Sequence, residues 1–362
     1  MPDLLKPSLN WLLPLVPFAI VFHYLVPESH TTVFILASLA IVPLAGWMGK
    51  ATEHLADKTG EGIGGLLNAT FGNLAELLIA VMALRHGLTG IVKASLTGSI
   101  IGNVLLVLGA SMLAGGLKFR TQEYSGHGAR TNSTMLTLAA LAFIAPAAFH
   151  LLAPEAAPEE NRLSVVIAVL LLVTYACSLL FSLHTHAGYF TGSAAEAAAV
   201  ESGHQMWSLK KSLLILVGAT AFVGWLAEIL VGAVEPTAEA FGMTEVFIGV
   251  IVVAIVGNAA EHSSAILMAM DDRMDLALNI AIGSSLQIAL FAAPVLVFLS
   301  YAIGPTPMDL VFTSAEVLAV VVSVGIVSLI AEDGESNWLE GVQLLAVYLI
   351  LATLFYFLPE AA

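Results

Sequence analysis

Two short stretches of this chain carry the same five-residue pattern, and both sit inside runs of apolar residues. One is Gly72-Asn73-Leu74-Ala75-Glu76 and the other Gly257-Asn258-Ala259-Ala260-Glu261; each reads Gly-Asn-x-Ala-Glu. On a helix, an Asn and a Glu three apart share one face. The Gly before them loosens the turn and frees backbone carbonyls. A carboxylate at the centre of an apolar span costs about 3 kcal/mol or more, so a chain that keeps two in matching contexts is expected to use them. The alternative, acids at helix ends near headgroups, fits less well, because apolar residues continue for several turns on both sides.

The two copies stand 185 residues apart, and the same offset takes Gly98 to Gly283 and Ser99 to Ser284. Gap-free agreement at five informative positions points to an internal repeat. The surrounding composition says what is repeated. Of the 362 residues, 59% are hydrophobic and only 11% charged, with a mean hydropathy of +0.93, whereas soluble domains carry about 25% charged residues. This is the composition of an all-α polytopic membrane protein. A net charge of −15 excludes nucleic acid as a partner. The single cysteine, Cys177, lies in an apolar run; it excludes a disulfide framework or a cysteine zinc cluster, and its expected role is packing.

By the twenty-residue criterion the chain divides into about eleven spans. They fall near 9–26, 32–49, 61–85, 91–117, 131–153, 161–183, 209–233, 244–270, 275–302, 309–332 and 339–358. The first is read as a retained span and not a signal peptide, since one Lys precedes it and no small-x-small cleavage site follows. The motif spans are the third and the eighth. An odd separation means that they cross the membrane in opposite directions, the inverted-repeat design of secondary transporters, with the site at the midplane. The expected organisation is a leading helix (1–30), a first five-helix repeat (31–183), a cytoplasmic linker (184–208) and a second, inverted five-helix repeat (209–362). The linker is rich in Ala, Gly, Ser and His.

Orientation follows from Lys and Arg. Alternating the loops places Lys6, Lys50, Lys58, Lys118, Arg120, Arg130, Lys210, Lys211 and Arg273 on one side, and only Arg85, Lys93 and Arg162 on the other. The N-terminus and linker are therefore expected in the cytoplasm and the C-terminus outside. The outer loops are acidic (Glu28, Glu155, Glu159, Glu160, Glu235, Glu239, Glu245), which either concentrates cations at the mouth or is what remains when basic residues stay inside.

The span after each motif adds polar groups. Ser99 and Asn103 stand four apart, Ser284 and Gln287 three apart, so each pair shares a face; as helix-packing groups they would be explained too. A weaker symmetry joins Glu53 and Glu228, each four residues after a Gly: helix-end acids on a proton or gating route, or plain interface anchors. Carboxylates, amides, hydroxyls and freed carbonyls form an oxygen donor set, which favours a hard cation over zinc or copper. Calcium takes six to eight such oxygens in flexible geometry. Two facing carboxylates stay ionised with a divalent ion between them and repel in a poor dielectric without it, so the empty site takes protons. That competition is the physical requirement for antiport.

At this point the stretch Gly64-Gly65-Leu66-Leu67-Asn68-Ala69-Thr70-Phe71-Gly72-Asn73-Leu74-Ala75-Glu76-Leu77 resembles the first signature of the calcium/proton exchangers, the CAX branch of the cation/calcium antiporters. Val256-Gly257-Asn258-Ala259-Ala260-Glu261-His262 and Gly283-Ser284-Ser285-Leu286-Gln287-Ile288 resemble the second. The resemblance runs from about Ala51 to the end. It implies eleven spans, a cation site at Glu76, Asn258, Glu261, Ser284 and Gln287 with Asn73, Ser99 and Asn103 as counterparts, proton binding at the two glutamates, and an oligomer. It implies transported calcium and protons and no cofactor. Three departures stand out. Ala75 replaces the usual Thr, the linker has few acids, and no long N-terminal tail is present, so regulation by an acidic helix or by autoinhibition is not expected. A compact chain with short loops suggests a prokaryotic plasma membrane. Other readings are a sodium/calcium or manganese exchanger, a channel, and an intramembrane hydrolase using Ser111 or Ser263 with His150 or His262. His184 and His186 are read as solvated linker residues in preference to a surface metal site.

Overall fold

A computed structural model describes residues 9–59, 64, 67, 68, 70–186 and 207–359. Lys6 and most of the linker, with Glu196 and Glu201, lie outside the described residues. Among those described, helices follow one another almost without interruption: α1 Leu9–Leu25, α2 His30–Thr59, α3 Leu74–Arg85, α4 Thr89–Gly116, α5 Gly126–Leu152, α6 Pro154–Thr185, α7 Leu209–Gly232, α8 Val234–Phe241, α9 Glu245–Met270, α10 Met274–Ile303, α11 Ser314–Ile330 and α12 Trp338–Phe357. Eight of these are long and apolar enough to cross a bilayer, and α1 and α11 are shorter apolar helices. The all-α polytopic class therefore holds. An apolar chain in lipid has little choice, because a helix satisfies its own backbone groups.

Where the helices are interrupted is more informative than where they run. Among the expected spans, 61–85 is not one regular helix. Its last twelve residues form α3, and Gly72 and Asn73 form a turn, Asn73 with φ −100° and ψ 31°. The second copy behaves differently: Gly257 to Glu261 lie inside continuous α-helix from Ala254 to Met270, so Gly257 does not break its turn. The irregularity there lies upstream, as a π-helical stretch at Ile248–Val253. Both α4 and α10 also open into π-helix, at Gly102–Val107 and Ile288–Ala292. These two segments keep the 185-residue offset to within one residue. Pro294 follows the second, and its missing N–H removes a helical hydrogen bond just where the wider turn ends. Such π-bulges gather at functional sites.

The hairpin turns obey the same offset. The α3–α4 turn carries Gly87 at φ 78°, and the α9–α10 turn carries Asp272 at φ 60°, the left-handed region that an Asp tolerates better than most side chains. The span expected from 309 begins five residues later, at Ser314, because 304–313 is non-helical backbone in which Met308, Leu310 and Phe312 are buried. On the opposite edge Gln122–Glu123 pairs antiparallel with Glu335–Ser336. Cys177 is exposed on the outer surface of α6, so the packing role expected of it is not what the fold gives it.

Candidate cation site

The two motif copies meet. Gly257, in α9, has no side chain, and the carboxyl of Glu76, in α3, fills that space: a Cβ there would stand 2.9 Å from Glu76 Cγ and 3.6 Å from Oε1. At Gly72 a Cβ would stand 2.7 Å from Asn68 O of its own segment and 3.2 Å from Gln287 Oε1 of the other half. Each motif glycine thus has a polar side chain of the opposite half beside it, and at Gly257 that approach is one that Gly permits. Glu261 stands four residues beyond Gly257 in the same helix, so the two share a face of α9.

Amides and hydroxyls tie the four elements together. Asn73 Nδ2 donates to Gln287 Oε1 (2.7 Å). Asn258 Nδ2 donates to Ser99 Oγ (2.9 Å) and to Ala254 O (2.9 Å), and Asn103 Nδ2 donates to Asn258 Oδ1 (3.3 Å). Ser284 Oγ donates to Glu261 Oε2. Asn73, Ser99, Asn103, Asn258 and Ser284 are all buried. The expected donors thus fall into three bonded groups, Asn73 with Gln287, Asn258 with Ser99 and Asn103, and Ser284 with Glu261, and Glu76 shares the wall of one cavity with Ser99.

Not every oxygen is satisfied. Glu76 Oε1 and Asn73 Oδ1 are buried without a hydrogen-bond partner. A cavity of about 20 Å³ lies against Glu76, Ser95 and Ser99, room for roughly one water. A buried acceptor left open is an expensive arrangement, and it suits a group whose partner comes and goes. Among the described residues no three His, Cys, Asp or Glu side chains gather to hold a metal. Two carboxylates plus amide, hydroxyl and carbonyl oxygens are the donors present, and they fit a hard cation carried as substrate.

Glu53 is exposed near the end of α2. Glu228 bonds His86 Nε2 (2.9 Å) and lies 3.9 Å from Arg85 Nη1, which joins α7 to the far end of α3. The groups named for a hydrolase do not pair. Ser111 Oγ is buried without a partner, Ser263 donates to Ala259 O, and His150 bonds Glu160. His186 stacks on Phe181, centroids 4.1 Å apart. Sequence reasoning missed Glu316, 2% exposed and hydrogen-bonded to Thr97; its signal was a Thr-x-x-Glu capping box at Thr313, which names a helix start and not a role.

The chain matches the family model described as sodium/calcium exchanger protein over residues 29–184 and 211–357. It is 46% identical to the calcium/proton antiporter of Synechocystis sp. over 366 residues, covering 96% of each chain. It is 48% identical to the calcium/proton antiporter ChaA of Bacillus subtilis over 326 residues, covering 90% of this chain and 92% of that one. The solved structure of native YfkE superposes with a TM-score of 0.84 at 43% identity, covering 97% of this chain and all of the other. With Glu76 of one motif copy seated on Gly257 of the other, the chain belongs to the sodium/calcium exchanger family, within its calcium/proton exchanger branch.

Proposed function

We propose that this protein exchanges calcium for protons across a membrane, and that Glu76 and Glu261 hold the calcium ion or the protons in turn. The observation that carries this reading is the seat of Glu76 against Gly257: an acid from one copy, its Oε1 open, lies at the motif of the other. Glu76 stands nine residues before Arg85, the end of α3, and Glu261 nine residues before Met270, the end of α9. Nine residues of helix rise about 14 Å, half of a hydrocarbon core of about 30 Å. Those depths, reached on helices that run oppositely in the basic-residue assignment, support a midplane site and two inverted five-helix repeats behind a leading helix. The repeated π-segments and left-handed turns support the same organisation.

With calcium bound, both carboxylates are neutralised by the ion. Without it, two negative charges share a low-dielectric site and protons take its place. Only a neutral site crosses the apolar barrier cheaply, so ion and protons exchange and do not leak. Calcium and protons are the substrates, no cofactor enters, and the protein is a secondary transporter and not an enzyme. Asn73, Asn258, Ser99, Asn103, Ser284 and Gln287 supply or orient the neutral oxygens. The nine-to-three bias of basic residues supports a cytoplasmic N-terminus and linker and an outer C-terminus in a prokaryotic plasma membrane. The family resemblance supports a homo-oligomer.

Calcium uptake into everted vesicles under an imposed pH gradient tests the reading. Glu76→Gln and Glu261→Gln, each still inserted in the membrane, are expected to abolish uptake and the accompanying proton release. Full activity in either variant would remove that glutamate from the mechanism.

A further inference from the structure

The connection between α10 and α11 does more than join them. Residues 304–313 form no helix, yet Met308, Leu310 and Phe312 are buried. Buried backbone outside helices and strands needs other protein groups to satisfy it. Met308 N donates to Ser300 Oγ (2.8 Å), Leu310 N to Ser164 Oγ (2.9 Å) and Thr313 N to Glu316 Oε2 (2.9 Å). Two side chains from α4 complete the set. Lys93 Nζ reaches Asp309 Oδ1 (2.5 Å) and Val311 O (2.9 Å). Thr97 Oγ1, one turn further on, lies 3.1 Å from Glu316 Oε1 and shares its proton with Ala94 O (3.0 Å) and Lys93 O (3.1 Å) of its own helix.

Lys93 and Thr97 are four apart and share a face of α4. The residues just beyond Thr97 face the site. Gly98 lies so close to α9 that a Cβ would fall 2.1 Å from Val250 O, and Ser99 Oγ accepts from Asn258. This helix is therefore bonded to the 309–316 segment on one side and pressed against α9 on the other. A carboxylate as buried as Glu316 is costly unless its bonds are needed. One of its oxygens caps α11 through Thr313, and the other is turned to Thr97.

We infer that Thr97 and Glu316, with the Lys93–Asp309 pair above them, are positioning residues for the cation site. They touch no ion. They hold α4 at the height where Ser99 meets Asn258, so that Asn258 and Asn103 present their oxygens correctly. This rests on the proposed function, because the site they serve is the one assigned there.

The test uses the purified full-length protein, with calcium affinity read by titration calorimetry and calcium KM read from proton-driven uptake into proteoliposomes. Thr97→Val keeps the shape and removes the hydroxyl. It is expected to raise the calcium Kd and KM about threefold, less than loss of the Ser99 hydroxyl that it positions, while Thr97→Ser stays within about 1.5-fold of the parent. A purely structural role would lower the yield and the melting temperature but leave the Kd of the folded protein unchanged, and that result would overturn the inference. Should Thr97→Val fail to fold, Glu316→Gln is read in the same way: a raised Kd supports positioning, an unchanged Kd overturns it. Glu261→Gln is run alongside. If it binds and transports like the parent, the proposed function fails; if it is inactive while Thr97→Val binds normally, only the positioning role fails.

Discussion

Glu76 and Glu261 hold the same place in two copies of one pattern, yet the protein surrounds them differently. Glu261 lies within a continuous helix and accepts a hydrogen bond from Ser284, the serine 23 residues ahead of it in its own half. Ser99, the matching serine for Glu76, is turned instead to Asn258 in the opposite half. Glu76 follows a turn at Gly72 and Asn73, sits on Gly257, and keeps Oε1 open beside a cavity. A repeat in sequence has become an asymmetric pair in space: one acid is held and the other is left available. A site that binds and releases an ion gains from both properties, since the held acid fixes the geometry and the open one changes partner.

The glycines offer the hardest blow to that comparison. Gly257→Ala places a methyl 2.9 Å from Glu76 Cγ and is expected to push that carboxyl out of place, with a loss of about a hundredfold in uptake if a few kcal/mol of strain falls on the site. Gly283→Ala, which meets nothing within 4 Å among the described residues, should leave uptake close to the parent's. Parallel transport assays on membranes with matched protein levels check the pair, and equal losses would mean that the seat of Glu76 is not special.

The serines sharpen the comparison. Ser284→Ala removes a bond to a carboxylate, worth about 1.5–3 kcal/mol, and Ser99→Ala removes a neutral one worth about 1 kcal/mol. Calcium KM is expected to rise by tenfold or more in the first and by about fivefold in the second. The reverse order would show that Glu76 is the acid held by serine during turnover. Smallest are the amides. Gln287→Ala leaves Asn73 without its 2.7 Å acceptor, whereas Asn103→Ala loses only a 3.3 Å contact. Affinity should fall by severalfold and by about twofold respectively, measurable by calorimetry; if neither changes, these amides serve packing alone.

Much of this was legible in the sequence, for reasons that differ between elements. The all-α membrane class was readable because lipid demands long apolar helices, and so apolar a chain leaves little freedom. The candidate donors were readable because polar groups in such runs are costly and few. Glu316 escaped notice because a capping acid and a buried strut share one local pattern, and only the neighbouring Thr97 tells them apart. The start of α11 was misplaced because Met308, Leu310 and Phe312 are as apolar as a helix, while Ser164, which satisfies the Leu310 N–H of this non-helical backbone, lies 146 residues away in sequence.

By itself, then, the sequence determined that this chain spans a membrane many times, repeats itself after 185 residues and carries an acid in each copy. Local composition is enough for that, because solvent preference and helix spacing act over a few turns. Only the tertiary structure decided which glycine makes room for which acid, that Ser284 holds Glu261 while Glu76 stays open, and that the 309–316 segment braces α4. Those outcomes depend on contacts between residues from 23 to about 220 positions apart, where close packing selects one partner among several chemically equal ones.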